Sequence, residues 1–106
     1  MTEIRAWEEL DSPRDAVGAS EQRMSDALDV LRKWAVVIDE QPDVYAMKAL
    51  SELAAVREQV NEDLRLLAEY TVLRLQRTRN SVAKAAGVAN TTVNAWVANP
   101  STIELD

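Results

Sequence analysis

Apolar residues recur every three or four positions along most of this chain, which is the spacing of one face of an α-helix. The first such segment, residues 1–18, holds Ile4, Trp7 and Leu10 at helical spacing, and it breaks at Asp11-Ser12-Pro13 and again near Gly18. This segment predicts a short N-terminal arm or a docking helix.

A second apolar stripe follows Ser20, a residue type that caps helix N-termini well. Its members are Met24, Ala27, Leu28, Leu31, Trp34, Ala35 and Ile38. The stripe predicts a helix that ends within residues 39–42, because Pro42 disfavours a helical residue before it.

The third element is much longer, since residues 43–86 contain neither glycine nor proline and Asp43 is suited to cap their first turn. Its apolar residues lie near a heptad seam that Arg57 and Thr71 interrupt. The members of the seam are Ala46, Leu50, Leu53, Val60, Leu64, Leu67 and Leu75.

A helix over 44–77 would be roughly 50 Å long at 1.5 Å per residue. A compact chain of this size has a radius of gyration of only about 13 Å, so another chain is expected to cover the stripe. We therefore predict a homodimer, in which two copies of a hairpin, made of helices 20–38 and 43 to about 67, form a four-helix bundle. The predicted interface is Leu50, Leu53, Val60, Leu64 and Leu67. The alternative is a break near Asn61 or Thr71, which would give two shorter helices on one core.

The segment SVAKAAGVANTTVNAW, residues 81–96, combines two short helical patterns with a forced bend. Ser81 or Asn80 can cap the first helix, and Gly87 ends it because glycine accepts a positive φ. Asn90 can cap the second helix. The residues expected to be buried are Val82, Ala83, Ala86, Val88, Val93, Trp96 and Val97, with Ala83 small enough for the helices to approach.

This arrangement resembles the helix-turn-helix of the lactose-repressor family. The residues that carry the resemblance are Val82, Ala83, Lys84, Ala86, Gly87, Val88, Thr92, Val93, Asn94, Asn99 and Pro100. It covers about a fifth of the chain. Ala89 stands where that family has a capping serine, so the second helix is expected to start at Asn90. The family places the motif before a sugar-binding domain, whereas this sequence ends six residues after Pro100, so no effector domain is expected.

The resemblance implies that helix 90–98 enters the major groove of double-stranded DNA. It makes Asn90, Thr91, Asn94 and Ala95 the candidate base contacts, with asparagine suited to adenine and the other two to a thymine methyl group. The candidate phosphate contacts are Arg74, Arg77, Arg79, Lys84 and Thr92.

The distribution of charge agrees with this assignment. The net charge is −6, yet residues 70–103 carry four cations and no acidic residue, whereas residues 1–69 carry sixteen acidic and eight basic side chains. A local basic region on an acidic chain is typical of a module that meets polyanions. We expect three regions: arm 1–18, dimerising hairpin 19–70 and DNA-binding module 71–106.

Composition favours an all-α fold and limits the chemistry. The chain has no cysteine or histidine, which excludes disulfides and removes the commonest metal ligand and general base, so no metal, cofactor or catalytic residue is predicted. Acidic residues that are adjacent in the sequence point about 100° apart on a helix, so they do not form a shared acid–base site. We therefore do not expect an enzyme. The chain has no aliphatic run longer than four residues and its N-terminus is acidic, so a cytoplasmic protein without a membrane partner is expected.

Two functional hypotheses follow. The first is a small dimeric regulator, repressor-like, that binds a palindromic operator and associates with the nucleoid. The second is an adaptor whose long apolar-striped helix recruits another protein, while the C-terminal hairpin is structural. In either case the acidic N-terminal half is a possible surface for a protein partner.

Overall fold

A computed structural model of the chain describes residues 2–105, and the side chains of residues 3–104. Strand β1 (Thr2–Arg5) leads into a single 3₁₀ turn (Ala6–Glu9), followed by helices α1 (Pro13–Val37), α2 (Pro42–Leu73), α3 (Arg79–Ala86) and α4 (Asn90–Ala98) and strand β2 (Thr102–Leu105). The predicted all-α class is confirmed, with one small two-stranded sheet in addition. Within the described part of the chain, every helix is too short or too polar to cross a membrane.

The chain forms two compact units. One consists of residues 17–61, which are most of α1 and the first two-thirds of α2. The other combines the described residues up to Ala16 with those from Glu62 onward, so the N-terminal strand belongs with the C-terminal helices. We call them the hairpin unit and the head unit.

The first helix begins earlier than its sequence predicts. Gly18 was expected to mark a break and Ser20 to cap the helix, but α1 already starts at Pro13 and runs through both positions. Proline suits the first helical position because its φ is fixed near the helical value, and the Asp15 carboxylate supports this start by accepting a hydrogen bond from the Asp11 backbone N–H at 3.2 Å.

Helix α2 is continuous through Asn61 and Thr71, so the alternative of two shorter helices is wrong. It starts at Pro42, which places Asp43 inside the first turn and not at the cap, where its charge still favours the N-terminal end of the helix dipole. It ends at Leu73 instead of residue 77, because Gln76 adopts a left-handed backbone conformation with φ 59°.

The two ends of the chain pair with each other. Strands β1 and β2 are antiparallel, with Ile4 opposite Ile103 and Glu3 opposite Glu104. The helical spacing of Ile4, Trp7 and Leu10 therefore does not produce a docking helix, since the first of these lies in a strand and the second in a 3₁₀ turn.

The core of the head unit lies beneath α3 and α4. It is built from Ala68, Val82, Ala83 and Val93, with Val72, Val88, Trp96 and Val97 packed against it. Six of the seven residues predicted to be buried thus pack into this core against the last turns of α2, whereas Ala86 is half-buried and lies outside it.

Candidate nucleic-acid interface

The cap of α3 differs from the one predicted. Neither Ser81 nor Asn80 caps the helix; the Thr78 hydroxyl accepts a hydrogen bond from the Ser81 backbone N–H at 3.2 Å. Thr78 can do so because its backbone is extended (φ −66°, ψ 146°), whereas Asn80 and Ser81 already lie within the helix. The Ser81 hydroxyl donates back to the Thr78 carbonyl at 2.9 Å, which tightens the same turn.

Gly87 performs the role expected of it. Its φ of 71° is left-handed, and the Val88 N–H donates to the Ala83 carbonyl at 3.1 Å, closing the end of α3. A Cβ added at Gly87 would have no neighbour within 4 Å, so the conformation of the backbone, and not crowding, is what requires glycine.

Helix α4 begins without a side-chain cap. Asn90 was predicted to be the cap, but it is the first helical residue and Ala89 holds the cap position, with extended backbone and no side-chain hydrogen bond. The Asn90 side chain is therefore not used in capping and is exposed.

One side of α4 is packed and the other faces outward. Val93 is fully buried, and Trp96 and Val97 are half-buried against the core. The four predicted base contacts, Asn90, Thr91, Asn94 and Ala95, are all exposed. The helix thus presents a small, uncharged and hydrogen-bonding outer face.

Five residues were predicted to contact phosphate, namely Arg74, Arg77, Arg79, Lys84 and Thr92. The four cations are exposed and Thr92 is half-buried. Arg79 makes a contact that its sequence position did not suggest: its Nη1 donates a hydrogen bond to Oδ1 of Asn94, 3.3 Å away across the turn.

A buried carboxylate missed by the sequence analysis anchors the segment that follows α4. Glu69 is fully buried, and its Oε1 accepts hydrogen bonds from the Ser101 N–H at 2.6 Å and from Arg65 Nε at 3.3 Å. Arg65 also donates through Nη2 to the Asn99 carbonyl at 2.7 Å, and the Ala6 N–H donates to the Ser101 carbonyl at 2.8 Å. We call this set of contacts the clasp; it ties both chain ends to α2.

An apolar hollow of about 170 Å³ lies between α2 and α3, lined by Leu64, Leu67, Ala68, Thr71, Val82, Ala85 and Ala86. The one polar group among these side chains, the Thr71 hydroxyl, already donates to the Leu67 carbonyl at 2.7 Å. The hollow therefore presents hydrocarbon and has no unsatisfied side-chain polar group.

The predicted dimer interface falls into two classes of exposure. Leu50 and Leu53 in the hairpin unit are 59% and 50% exposed, whereas Val60, Leu64 and Leu67 are half-buried. Further exposed apolar side chains of the hairpin unit are Val17, Met24, Leu28, Val36, Val44 and Met47. So much hydrocarbon in contact with water is unusual for a unit that functions alone.

Comparison with protein-family models, curated proteins and solved structures finds no match for this chain. Among the described residues, no three histidine, cysteine or acidic side chains are grouped so that they could hold a metal ion. A functional interpretation therefore depends on the geometry of α3, α4 and their surroundings.

Proposed function

We propose that this protein binds double-stranded DNA in a sequence-specific manner, as a small dimeric helix-turn-helix regulator of the repressor type. The observation that carries the proposal is the outer face of α4. Asn90, Thr91 and Asn94 are exposed on a helix whose opposite face, centred on Val93, is buried. A left-handed turn at Gly87 separates that helix from α3.

This face has the chemistry that base recognition requires. The major groove of B-DNA is about 12 Å wide and accepts an α-helix, and each base pair presents there its own pattern of donors and acceptors. Amide and hydroxyl side chains can match those patterns, and the small Ala95 allows close approach or contact with a thymine methyl group. Charged residues are absent from residues 90–98, so the face itself favours hydrogen-bond readout over simple attraction to phosphate.

The surroundings of the two helices supply the attraction to phosphate. Arg74, Arg77 and Lys84 are exposed, and no acidic residue occurs in residues 70–103. The start of α4 has no side-chain cap, so its first N–H groups suit a phosphate oxygen, with the Thr92 hydroxyl nearby in sequence.

A homodimer formed through the hairpin unit would complete this function. The exposed apolar side chains of α1 and α2 would be covered, and two recognition helices would meet successive turns of the duplex. Such a dimer would bind a palindromic operator, in the cytoplasm and on the nucleoid. The acidic charge of residues 1–69 would then limit the orientations in which DNA can approach.

The test is retention on random-sequence duplex DNA at low salt, followed by selection of bound duplexes from a random pool. Three phosphate-facing cations per module, Arg74, Arg77 and Lys84, predict a slope of log K against log salt of about −2.7 for a single module and about −5.4 for a dimer. Arg77→Ala should reduce that slope, whereas Lys48→Ala, an exposed cation of the hairpin unit, should leave it unchanged. A chain that is not retained on DNA would refute the proposal.

The second candidate is an adaptor, and the exposure of the hairpin unit favours it. Val36 is 82% exposed and Met47 is 64% exposed, which suits a surface that another protein covers. Sedimentation of the free protein distinguishes the two: a dimer supports the regulator, and a monomer that is not retained on DNA supports the adaptor.

A further inference from the structure

The contact between Arg79 and Asn94 changes what the outer face of α4 offers to a base. Arg79 is the first residue of α3 and Asn94 lies in the middle of α4, and their side chains meet across the turn at 3.3 Å. A guanidinium has donors only, so the atom facing it must be the amide oxygen of Asn94. The amide NH₂ is then directed away from Arg79.

Adenine recognition by asparagine uses both ends of the amide. The oxygen accepts from the adenine N6 amino group while the NH₂ donates to N7. Here the amide oxygen already accepts from a cation, and that cation would face the positively polarised amino group of adenine. The geometry therefore disfavours the base that Asn94 alone would select.

Guanine has the complementary pattern. It presents two acceptors, O6 and N7, in the major groove, and arginine donating to both is the commonest specific contact in protein–DNA complexes. The remaining N–H groups of Arg79 and the NH₂ of Asn94 are all donors. Both side chains are exposed, and no acidic residue within residues 70–103 competes for them.

We propose that Arg79 and Asn94 act as one donor-only pair that selects guanine, with Arg79 as a specificity-determining residue and not a phosphate contact. This inference rests on the proposed DNA-binding function. It assigns the class of base read by the centre of α4, and it predicts that adenine is rejected at that position.

The experiment compares selections from a random duplex pool by the parent chain, Arg79→Ala, Asn94→Ala and Arg77→Ala. The parent should select a guanine at one position of each half-site. Arg79→Ala should lose the guanine and shift toward adenine, the base that Asn94 alone would select, and Asn94→Ala should weaken the guanine preference. Both variants should keep the rest of the motif. Arg77→Ala removes the same charge from an exposed residue of the linker before α3, so it should bind more weakly with an unchanged motif.

A second measurement tests the acceptor directly. Replacing that guanine with 7-deazaguanine removes N7, and replacing it with adenine places a donor where O6 was. The parent should lose about 5- to 150-fold in affinity for the adenine duplex and a smaller factor for the deaza duplex, whereas Arg79→Ala should no longer prefer the guanine duplex to the adenine duplex.

The outcomes separate this inference from the proposed function. A selected adenine whose preference disappears in Asn94→Ala but persists in Arg79→Ala would overturn the donor-only pair and leave DNA binding intact. A parent chain that selects no motif and is not retained on DNA would overturn both. Melting curves of each variant, monitored by circular dichroism, check that the exposed substitutions leave the fold unchanged.

Discussion

The two glycines of this chain should respond to alanine with opposite signs. Gly18 lies inside α1, and Gly87 has φ 71° at the end of α3. A Cβ added at either position would have no neighbour within 4 Å. Because neither substitution creates crowding, each isolates the effect of backbone conformation.

The magnitudes follow from the two conformations. In a helix interior, alanine is more favourable than glycine by about 0.5–1 kcal/mol, so Gly18→Ala should raise the free energy of unfolding by that amount. A left-handed conformation costs a residue with a Cβ roughly 1–2 kcal/mol. Alanine also reduces the conformational entropy of the unfolded chain, which offsets about 0.4–1 kcal/mol of that cost. Gly87→Ala should therefore lower the free energy of unfolding by about 1 kcal/mol.

The assay is urea denaturation followed by circular dichroism, with the parent, Gly18→Ala, Gly87→Ala and Gly87→Asn measured together. Asparagine visits left-handed backbone more readily than alanine, so Gly87→Asn should lie between the parent and Gly87→Ala. If Gly87→Ala were as stable as the parent, the turn between α3 and α4 would not have the backbone described above. Gly87 would then not be the left-handed residue that separates the two short helices.

Three further substitutions test other parts of the fold. Glu69→Ala should destabilise the head unit by about 2–3 kcal/mol in denaturant titrations, whereas Glu69→Gln, which keeps an acceptor, should cost less. If the proposed dimer forms, Leu50→Glu should dissociate it in sedimentation equilibrium, while Ser51→Glu, the same charge at the next exposed residue, should not; equal effects would contradict the assignment of the interface. Thr78→Ala should cost about 1 kcal/mol and Asn80→Ala much less, and the reverse order would contradict the cap.

The features predicted correctly from the sequence are those with a local cause. The apolar spacing of residues 82–97 depends on neighbouring helical turns. Gly87 marks the end of the first helix there, because glycine is the residue type that a left-handed conformation favours. Both signals act within a few residues, so they remain valid without knowledge of the rest of the chain.

The helix ends were predicted less well because several good capping residues compete. Thr78, Asn80 and Ser81 lie within four positions, and all three residue types cap helices. The left-handed Gln76 ends α2 just before them and leaves Thr78 extended, which makes it the cap. Similarly, Gly18 suggested a break, but a single glycine costs only about 1 kcal/mol in a helix that Pro13 starts favourably.

The clasp and the β1–β2 ribbon were missed because their causes are remote in sequence. Ile4 pairs with Ile103, and no local pattern near either residue identifies its partner. In the sequence, Glu69 looks like any acidic residue on a solvated helix face. In the structure it accepts a hydrogen bond from the Ser101 N–H at 2.6 Å. Burial of a carboxylate is costly unless hydrogen-bond donors approach it, and sequence alone does not locate the donors that approach Oε1 of Glu69.

These remote contacts explain how α4 can keep an outer face that does not contribute to packing. A nine-residue helix is not stable alone in water, and of its residues Val93 is the one that is fully buried. Its position is therefore fixed at both ends, by the turn at Gly87 and by the clasp through Asn99 and Ser101. Because the turn and the clasp do not involve the outer face of α4, substitution of Asn90 should change the free energy of unfolding by no more than about 0.5 kcal/mol. If the chain binds DNA as proposed, affinities measured on such variants would report the contact of this face with the duplex, because the fold would be unchanged.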